Sequence, residues 1–175
     1  SSQAVALCAF LQARGVAVRH VREPGSTPVG EALRALLLAP TTGELQPVSE
    51  ALLFSAARAE LVAKVIAPAL ARGEWVVAER GYLSTVVYQG LAAGSGLSVD
   101  WLFDLTRTVH GACLPDATFV LDVPSDVARG RRAARTEDRI EARPAAYHEA
   151  VRSEEHTLNS SHLVILVCRL LLEKK

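Results

Sequence analysis

The fold is decided by residues 75–90, which read WVVAERGYLSTVVYQG. A short apolar run with high β-propensity ends in the charged pair Glu79 and Arg80, and a helix-length segment with hydroxyl groups and a tyrosine follows directly. Ligands of open α/β sheets bind just past the carboxyl ends of the strands, so we expect Glu79 and Arg80 to lie at a ligand site. A surface ion pair at the end of a strand is the alternative, which these two residues alone would favour.

The segments around this stretch alternate between helical and extended patterns. Helices are predicted over residues 2–14, 28–38, 49–70 and 99–109, and for a short length from Ser125. Strands are predicted over residues 16–21, 75–78 and 118–123. Strands separated by helices, without hairpin signals, indicate parallel βαβ units with helices on both faces of the sheet. The sequence therefore predicts an α/β fold.

The composition is that of one ordinary domain without excess charge. Half of the 175 residues are apolar, and the formal net charge is zero. Zero net charge argues against a general nucleic-acid coat and against binding to anionic membranes. No stretch is long and apolar enough to span a bilayer. Cys8, Cys113 and Cys168 have neither paired nor metal-ligand spacing, so we expect reduced thiols.

The two ends of the chain differ from the rest. Ser1 leads directly into a helical pattern, so we expect that an earlier part of the domain is missing. After Arg152 the composition changes abruptly, and an apolar run over residues 163–172 follows a stretch without clean periodicity. This tail resembles translated sequencing-adapter DNA. We therefore expect residues 153–175 to be non-native and to hold no site.

The predicted long helix carries an aromatic ring and a guanidinium on one face. Phe54 and Arg58 are four residues apart, which places them on the same side of a helix. The ring can stack on a nucleobase while the guanidinium binds a carbonyl oxygen, and base–aromatic stacking contributes about 1–3 kcal/mol. A phenylalanine inside an apolar helix is more often part of the core, so both interpretations stay open.

Hydroxyl groups line one face of the helix that follows Arg80. Ser84, Thr85 and Tyr88 share this face, and Arg80 precedes it by one turn. Hydroxyls can bind the edge of a base, and a tyrosine ring can fill the space beside a sugar. The alternative is a capped helix whose tyrosine packs on a neighbouring element.

Two further segments supply arginines. Arg22 stands in a turn after a predicted strand, where its guanidinium can bind phosphate or pair with Glu23, and a purely structural turn is the alternative. Glu137 and Asp138 are surrounded by five arginines, which are Arg129, Arg131, Arg132, Arg135 and Arg139. Such a charge run is usually a solvated face. A mobile arginine loop that closes over transferring phosphates can instead accelerate the step by about 10³–10⁵. Zero net charge disfavours RNA binding.

Taken in order, the motifs of this chain closely resemble those of thymidylate kinase (dTMP kinase) of the bacterial type. They are REPGSTP at 22–28, LLFSAAR at 52–58, ER at 79–80, LSTVVYQG at 83–90, LPDAT at 114–118 and DRIE at 138–141. The resemblance covers residues 1–152 and implies one domain with a three-layer P-loop kinase fold. That fold has a parallel sheet with helices on both faces, and its first strand and phosphate loop are expected to be missing here.

The activity implied by the resemblance is phosphoryl transfer from MgATP to dTMP, which gives dTDP for dTTP biosynthesis. Mg²⁺ is the implied cofactor, and dTMP and ATP are the implied small-molecule partners, with neither nucleic acid nor membrane. A cytoplasmic homodimer joined through the long helices is implied as well. The alternatives are another deoxynucleoside or nucleoside monophosphate kinase, or a non-catalytic nucleotide-binding or oligomerisation fragment.

The resemblance also assigns residues to the base and the sugar of dTMP. Phe54 would stack on thymine, and Arg58 would bind its O4 atom. Thr85, together with Gln89, would lie at the edge of the base. Tyr88 would crowd the position where a ribonucleotide carries its 2′-hydroxyl group.

Other residues are implied to act on phosphates. Arg80 would hold the acceptor phosphate, and the loop of Glu23 would line the sugar-phosphate side of the acceptor. In the arginine-rich lid, residues 129–143, Arg132 and Arg135 would neutralise the charge that develops on the transferred group. Phosphoryl transfer needs positioning and charge neutralisation more than a covalent catalyst, which fits cations from separate segments.

The chain departs from the family pattern at its metal site. Ser1 is the candidate hydroxyl for both the ATP cofactor site and Mg²⁺, because the resemblance implies that the chain begins just after the lysine of the phosphate loop. Glu79, the candidate catalytic and metal-binding carboxylate, stands where the pattern usually has Asp. Ser95 stands where the pattern usually has Arg. We therefore expect the chain as given to have little or no activity.

Overall fold

The structure is a computed structural model, and it describes residues 2–132 and 136–161. Within these ranges the chain forms a parallel pair of strands among helices, which confirms the predicted α/β fold. The strands are β1, Val18–Arg22, and β2, Trp75–Glu79. The α-helices are α1 Ser2–Gln12, α2 Pro28–Leu38, α3 Pro47–Leu61, α4 Ala67–Ala71, α5 Tyr82–Thr85, α6 Val99–His110, α7 Ser125–Arg132 and α8 Ala145–Ser161. A 3₁₀ turn covers Pro40–Thr42.

The register of the sheet brings the two strand ends together. β1 and β2 are parallel, with Val18 opposite Trp75 and Arg22 opposite Glu79. The backbone N–H of Glu23 donates to the carbonyl of Glu79 over 3.0 Å and extends the ladder by one residue. The carboxyl ends of both strands therefore lie side by side, where a ligand of an α/β sheet is expected.

The start of α2 follows from its local sequence. Thr27 is the N-cap, and its Oγ1 accepts a hydrogen bond from the backbone N–H of Gly30 over 2.9 Å. Pro28 occupies the first turn, where no backbone N–H is needed. The cap fixes the direction in which the chain leaves the loop after β1, and α2 packs on α3.

The predicted long helix is continuous but changes its geometry. Helices α3 and α4 are joined by a π-helical segment, Val62–Ile66. Pro68 has no N–H to give to the carbonyl of Lys64, which interrupts the regular hydrogen-bond ladder there. A second π-helical segment, Val86–Leu91, follows α5 and carries Tyr88 and Gln89. Such segments are frequent at functional sites.

Two apolar clusters hold these elements in place. One consists of Val21, Leu61, Val62 and Ile66 and packs α3 and its π-helical extension against β1. The other consists of Ala51, Val86, Val87, Leu102 and Val151 and joins α3, α6 and α8 around the π-helical segment after α5. The second cluster therefore fixes the helix that carries Thr85, Tyr88 and Gln89.

The predicted strand over residues 118–123 is wrong. This segment has no regular secondary structure, and Phe119 and Leu121 are exposed. A strand needs a hydrogen-bonded neighbour, and none is present for these residues in the described part of the chain.

Helix α8 runs past Arg152 to Ser161. The predicted boundary between the domain and its tail, after Arg152, therefore lies within a helix. None of the described helices has the length and the apolar character that crossing a bilayer requires.

Candidate active site

A cavity of about 680 Å³ opens beside the carboxyl ends of β1 and β2. Helix α1 lines one side with small and apolar residues, and the strand ends and α2 line the other with charged ones. The polar lining consists of Ser2, His20, Arg22, Glu23, Arg34, Glu79 and Arg80. The predicted residues Glu23, Glu79 and Arg80 are thus brought together at one site.

Arg58 is buried directly behind this cavity and is held by two predicted site residues. Its Nε donates to Glu23 Oε2 over 2.6 Å, and its Nη2 donates to Thr85 Oγ1 over 3.0 Å. The side chain of Arg58 is only 2% exposed, and Nη1 has no hydrogen-bond partner among the described residues. A buried donor without a partner costs about 1–3 kcal/mol. The geometry therefore leaves one guanidinium nitrogen available for an acceptor.

Phe54 lies on α3 one turn before Arg58 and is half-buried. The spacing of four residues places it on the same side of the helix, as the sequence predicts. Its stacking on a base stays a prediction.

Three predicted residues of the donor side cannot be described in full. Arg132 lies at the end of α7, and only its backbone is described. Ser1 and Arg135 lie outside the described residues.

Arg22 pairs with Glu31 and not with Glu23. The Nη2 atom of Arg22 donates to both carboxylate oxygens of Glu31, over 3.1 and 3.0 Å. A hydrogen bond from the Ser26 backbone lowers the pKa of Glu31, and the bond from Arg22 lowers it further. Gly25 has a φ of 136°, and a Cβ there would lie 2.6 Å from Glu31 Oε1. The tight turn therefore brings Glu31 to Arg22, and Glu23 is left for Arg58.

Arg34 is a cavity residue that sequence reasoning missed. Its Nη1 donates to the carbonyl of Pro24 over 3.0 Å, and within the described residues it forms no ion pair. Burial lowers the pKa of Arg34, and the positive charge of Arg22 lowers it further. The spacing along α2 could have identified Arg34. It lies four residues after Gly30 and three before Leu37, the two buried residues of α2, and so on the same side of the helix.

Arg80 adopts an unusual backbone conformation at the end of β2. Its φ is 66°, in the left-handed region that residues other than glycine rarely adopt. Such conformations cost about 1–3 kcal/mol and cluster at functional sites. The guanidinium lies over the ring of Tyr88, 5.4 Å from its centroid. Arg80 and Tyr88 are therefore neighbours, and their roles in binding stay predictions.

Glu79 lines the cavity and is paired with a histidine. The Nε2 atom of His20 lies 2.7 Å from Glu79 Oε1, and both residues line the same cavity. A magnesium ion in a nucleotide site is usually held by one or two carboxylates together with phosphate oxygens and water. Among the described residues, no group of three or more His, Cys, Asp or Glu side chains is arranged to hold a metal ion. Glu79 therefore fits a nucleotide-bound magnesium ion, but not a cage of protein ligands.

Gln89 is buried and contacts a carboxylate. Its Nε2 donates to Glu50 Oε1 over 2.7 Å, and its exposed fraction is 3%. Thr85 is equally buried. Glu50 was not predicted as a site residue, because an acidic residue in the first turn of a helix such as α3 is common.

Comparison with known proteins gives a consistent result. The sequence model of a family described as "Thymidylate kinase" matches residues 1–173. A thymidylate kinase of Thermomicrobium roseum is 46% identical over 159 residues, which cover 89% of this chain and 73% of that protein. One of Symbiobacterium thermophilum is 41% identical over 152 residues, covering 87% and 70%. One of Pseudomonas syringae pv. tomato is 46% identical over 148 residues, covering 84% and 70%.

Proposed function

This chain belongs to the thymidylate kinase family, and from that premise we propose how its cavity binds dTMP. Members of the family have a P-loop kinase fold, and the chain is accordingly a phosphotransferase that moves a phosphoryl group from ATP to dTMP. The proposal concerns the residues that perform each part of this reaction. The observation that carries it is the buried Arg58 guanidinium, one nitrogen of which has no partner in the described part of the chain.

Thymine is proposed to bind against Arg58 and Phe54. Arg58 is fixed by Glu23 and Thr85, so its unpaired Nη1 has a defined position before the base arrives. Thymine O4 is a carbonyl oxygen and supplies the acceptor that Nη1 lacks. Arg58 does not line the cavity, so the base has to reach Nη1 past Glu23. The ring of Phe54, one turn away, would provide the stacking surface.

The acceptor phosphate is proposed to bind between Arg34 and Arg80. Both residues line the cavity at the carboxyl ends of the strands, and their charges are close enough to affect each other. The role of Arg22 is reduced, because Glu31 already neutralises its guanidinium. Each charge-assisted hydrogen bond to the phosphate would contribute about 1.5–3 kcal/mol.

Tyr88 is proposed to exclude ribonucleotides. Its ring is fixed from two sides, by the Arg80 guanidinium and by the edge-on ring of Tyr147 at 6.1 Å. A ring held in this way cannot easily move aside for an added hydroxyl group. It would therefore act on the sugar through its position, with no chemical role in the transfer.

Glu79 would hold the magnesium ion of ATP together with the phosphates. When bound, such an ion neutralises charge on the phosphate oxygens. Ser1, Arg132 and Arg135 keep their proposed roles on the donor side, as a metal-binding hydroxyl and as arginines that stabilise the transferred group. His20 would orient the Glu79 carboxylate, because it holds one of the two oxygens.

A cytoplasmic homodimer is proposed as the working form. Helices α2 and α3 pack on each other, and they expose large apolar side chains on their outer sides. These residues are Val29, Leu36, Val48 and Leu52, each 41–47% exposed. Exposed apolar patches of this kind mark protein–protein contacts. Cys8 and Cys113 are free thiols, which fits a reducing compartment.

The experiment that tests the proposed function is a coupled assay of MgATP-dependent dTDP formation. It is run on this chain and on a version extended at the N-terminus by the strand and phosphate loop that the resemblance implies. We expect turnover of dTMP with the extended version, and much slower turnover of dCMP and dAMP. Faster turnover of another monophosphate than of dTMP would contradict the proposed thymine site.

A further inference from the structure

Glu50 is the most highly connected buried carboxylate in the described part of the chain. It is 1% exposed, and three side chains from different segments donate hydrogen bonds to it. Gln89 Nε2 and Arg139 Nη2 bind it over 2.7 and 2.6 Å, and Arg143 Nη2 binds both of its oxygens over 3.0 and 2.8 Å. Neither Glu50 nor its two arginines line the cavity.

The two arginines fix Glu50 to the rest of the fold. Arg139 also donates through Nε to the carbonyl of Leu37 over 2.8 Å, at the end of α2. Arg143 donates to the hydroxyl of Tyr147 over 2.6 Å. That hydroxyl in turn donates to the backbone carbonyl of Tyr88 over 2.8 Å. The carboxylate of Glu50 is therefore held rigidly, next to the helix that carries the proposed base-binding residues.

This arrangement determines which way the amide of Gln89 faces. The Glu50 carboxylate accepts hydrogen bonds from two guanidinium groups, which can only donate, so its oxygens act as acceptors. The Gln89 atom that contacts it must therefore be the NH₂ group, and the carbonyl Oε1 faces away. Within the described part of the chain, Oε1 accepts no hydrogen bond. Gln89 is thus oriented to present an acceptor on its free side.

We propose that Glu50 is a positioning residue that makes the site selective for bases with a hydrogen-bond donor at ring nitrogen N3. Thymine carries N3–H, whereas N3 of cytosine is an acceptor and would meet the Gln89 carbonyl oxygen unfavourably. This inference rests on the proposed thymine site, because it requires the base to lie beside Gln89. It extends that proposal by naming the residue that sets the preference without touching the substrate.

The test is a comparison of dTMP and dCMP affinities by calorimetry, with wild type, Glu50→Gln and Glu50→Asp. An amide at position 50 can pair with Gln89 in either orientation, so Glu50→Gln frees the Gln89 amide to flip. Glu50→Asp keeps a carboxylate between the arginines but is too short to reach Gln89, and it carries the test if Glu50→Gln does not fold. We expect the preference for dTMP over dCMP to fall at least tenfold in both.

Two controls separate positioning from general damage. Glu60→Gln removes a carboxylate that pairs with Lys64 on the same helix, and should leave the preference unchanged. In a Gln89→Ala background, Glu50→Gln should have no further effect on the preference, because Glu50 acts through Gln89. An unchanged preference in Glu50→Gln and Glu50→Asp, with both affinities lowered equally, would overturn the inference. A wild-type chain without any preference for dTMP would instead contradict the proposed thymine site itself.

Discussion

Arg58 and Glu23 form a buried ion pair, with Arg58 Nε 2.6 Å from Glu23 Oε2 and both side chains less than 10% exposed. The pair joins the middle of α3 to the end of β1. We propose that Glu23 acts by positioning Arg58 and not by direct contact with a substrate. Its carboxylate is used to hold the guanidinium, whose remaining nitrogen is the proposed ligand for the base.

Removal of the Glu23 carboxylate should destabilise the fold. Glu23→Ala leaves a buried guanidinium without its counterion, and we expect a loss of about 3–5 kcal/mol in the free energy of unfolding. Urea denaturation followed by circular dichroism measures this quantity. Glu60→Ala, which breaks the partly exposed pair with Lys64, should cost no more than about 1 kcal/mol. Similar losses in the two variants would show that the Glu23 pair is energetically ordinary.

Arg34 should contribute to affinity through the phosphate of the acceptor. Arg34→Ala is expected to weaken dTMP binding by about 10–100-fold, since a charge-assisted hydrogen bond of about 1.5–3 kcal/mol is lost. Thymidine, which has no phosphate, should bind both proteins with similar affinity. Calorimetric titration with both ligands makes the comparison. Arg22→Ala is the matched control and should have a smaller effect, because Glu31 neutralises Arg22.

Tyr88 should determine the preference for deoxyribose. In Tyr88→Ala the space beside the sugar is no longer filled, and we expect the preference for dTMP over its ribonucleotide counterpart to fall by about 10-fold or more. The affinity of dTMP itself should change less. Competition titrations with the two nucleotides give this ratio, and a ratio equal to that of wild type would remove Tyr88 from the sugar site.

Tyr147 should make stability sensitive to alkaline pH. Burial raises its pKa from 10.0 to about 12, even though the Arg143 guanidinium acts in the opposite direction. The folded state therefore keeps the proton more tightly than the unfolded state. This contribution is fully present below pH 10 and is lost as the pH rises from about 10 to about 12.

The measurement for Tyr147 is the free energy of unfolding as a function of pH. Tyr147→Phe has no proton to lose, so its stability should decline less steeply than that of wild type across this window. Some decline should remain, because burial also raises the pKa of Tyr82. Parallel curves for wild type and Tyr147→Phe would be inconsistent with a buried Tyr147 hydroxyl.

The order of elements could be predicted because each carries its own local signal. Thr27 and Pro28 mark the start of α2, and the run before Glu79 has the composition of a strand. The hydrogen bond between Arg58 and Thr85 was not predicted, because no local pattern relates residues 27 positions apart. The sequence therefore predicted the elements of the fold better than the side-chain contacts between them.

The wrong and missed predictions also arise from contacts that the local sequence does not determine. Residues 118–123 have the composition of a strand, but a strand forms only where a neighbour accepts and donates its backbone hydrogen bonds. Arg22 has a carboxylate next to it in sequence, yet it pairs with Glu31 because the turn at Gly25 brings that residue nearer. Glu50 could not be identified, since its three partners come from segments distant in sequence.

The position of thymine relative to Arg58 is the most direct test of this account. It can be measured in a crystal structure of the chain bound to dTMP. We predict that thymine O4 lies within about 2.7–3.2 Å of Arg58 Nη1, while Arg58 keeps its bonds to Glu23 and Thr85. A complex in which Nη1 remains without a partner and the base lies elsewhere in the cavity would contradict the account.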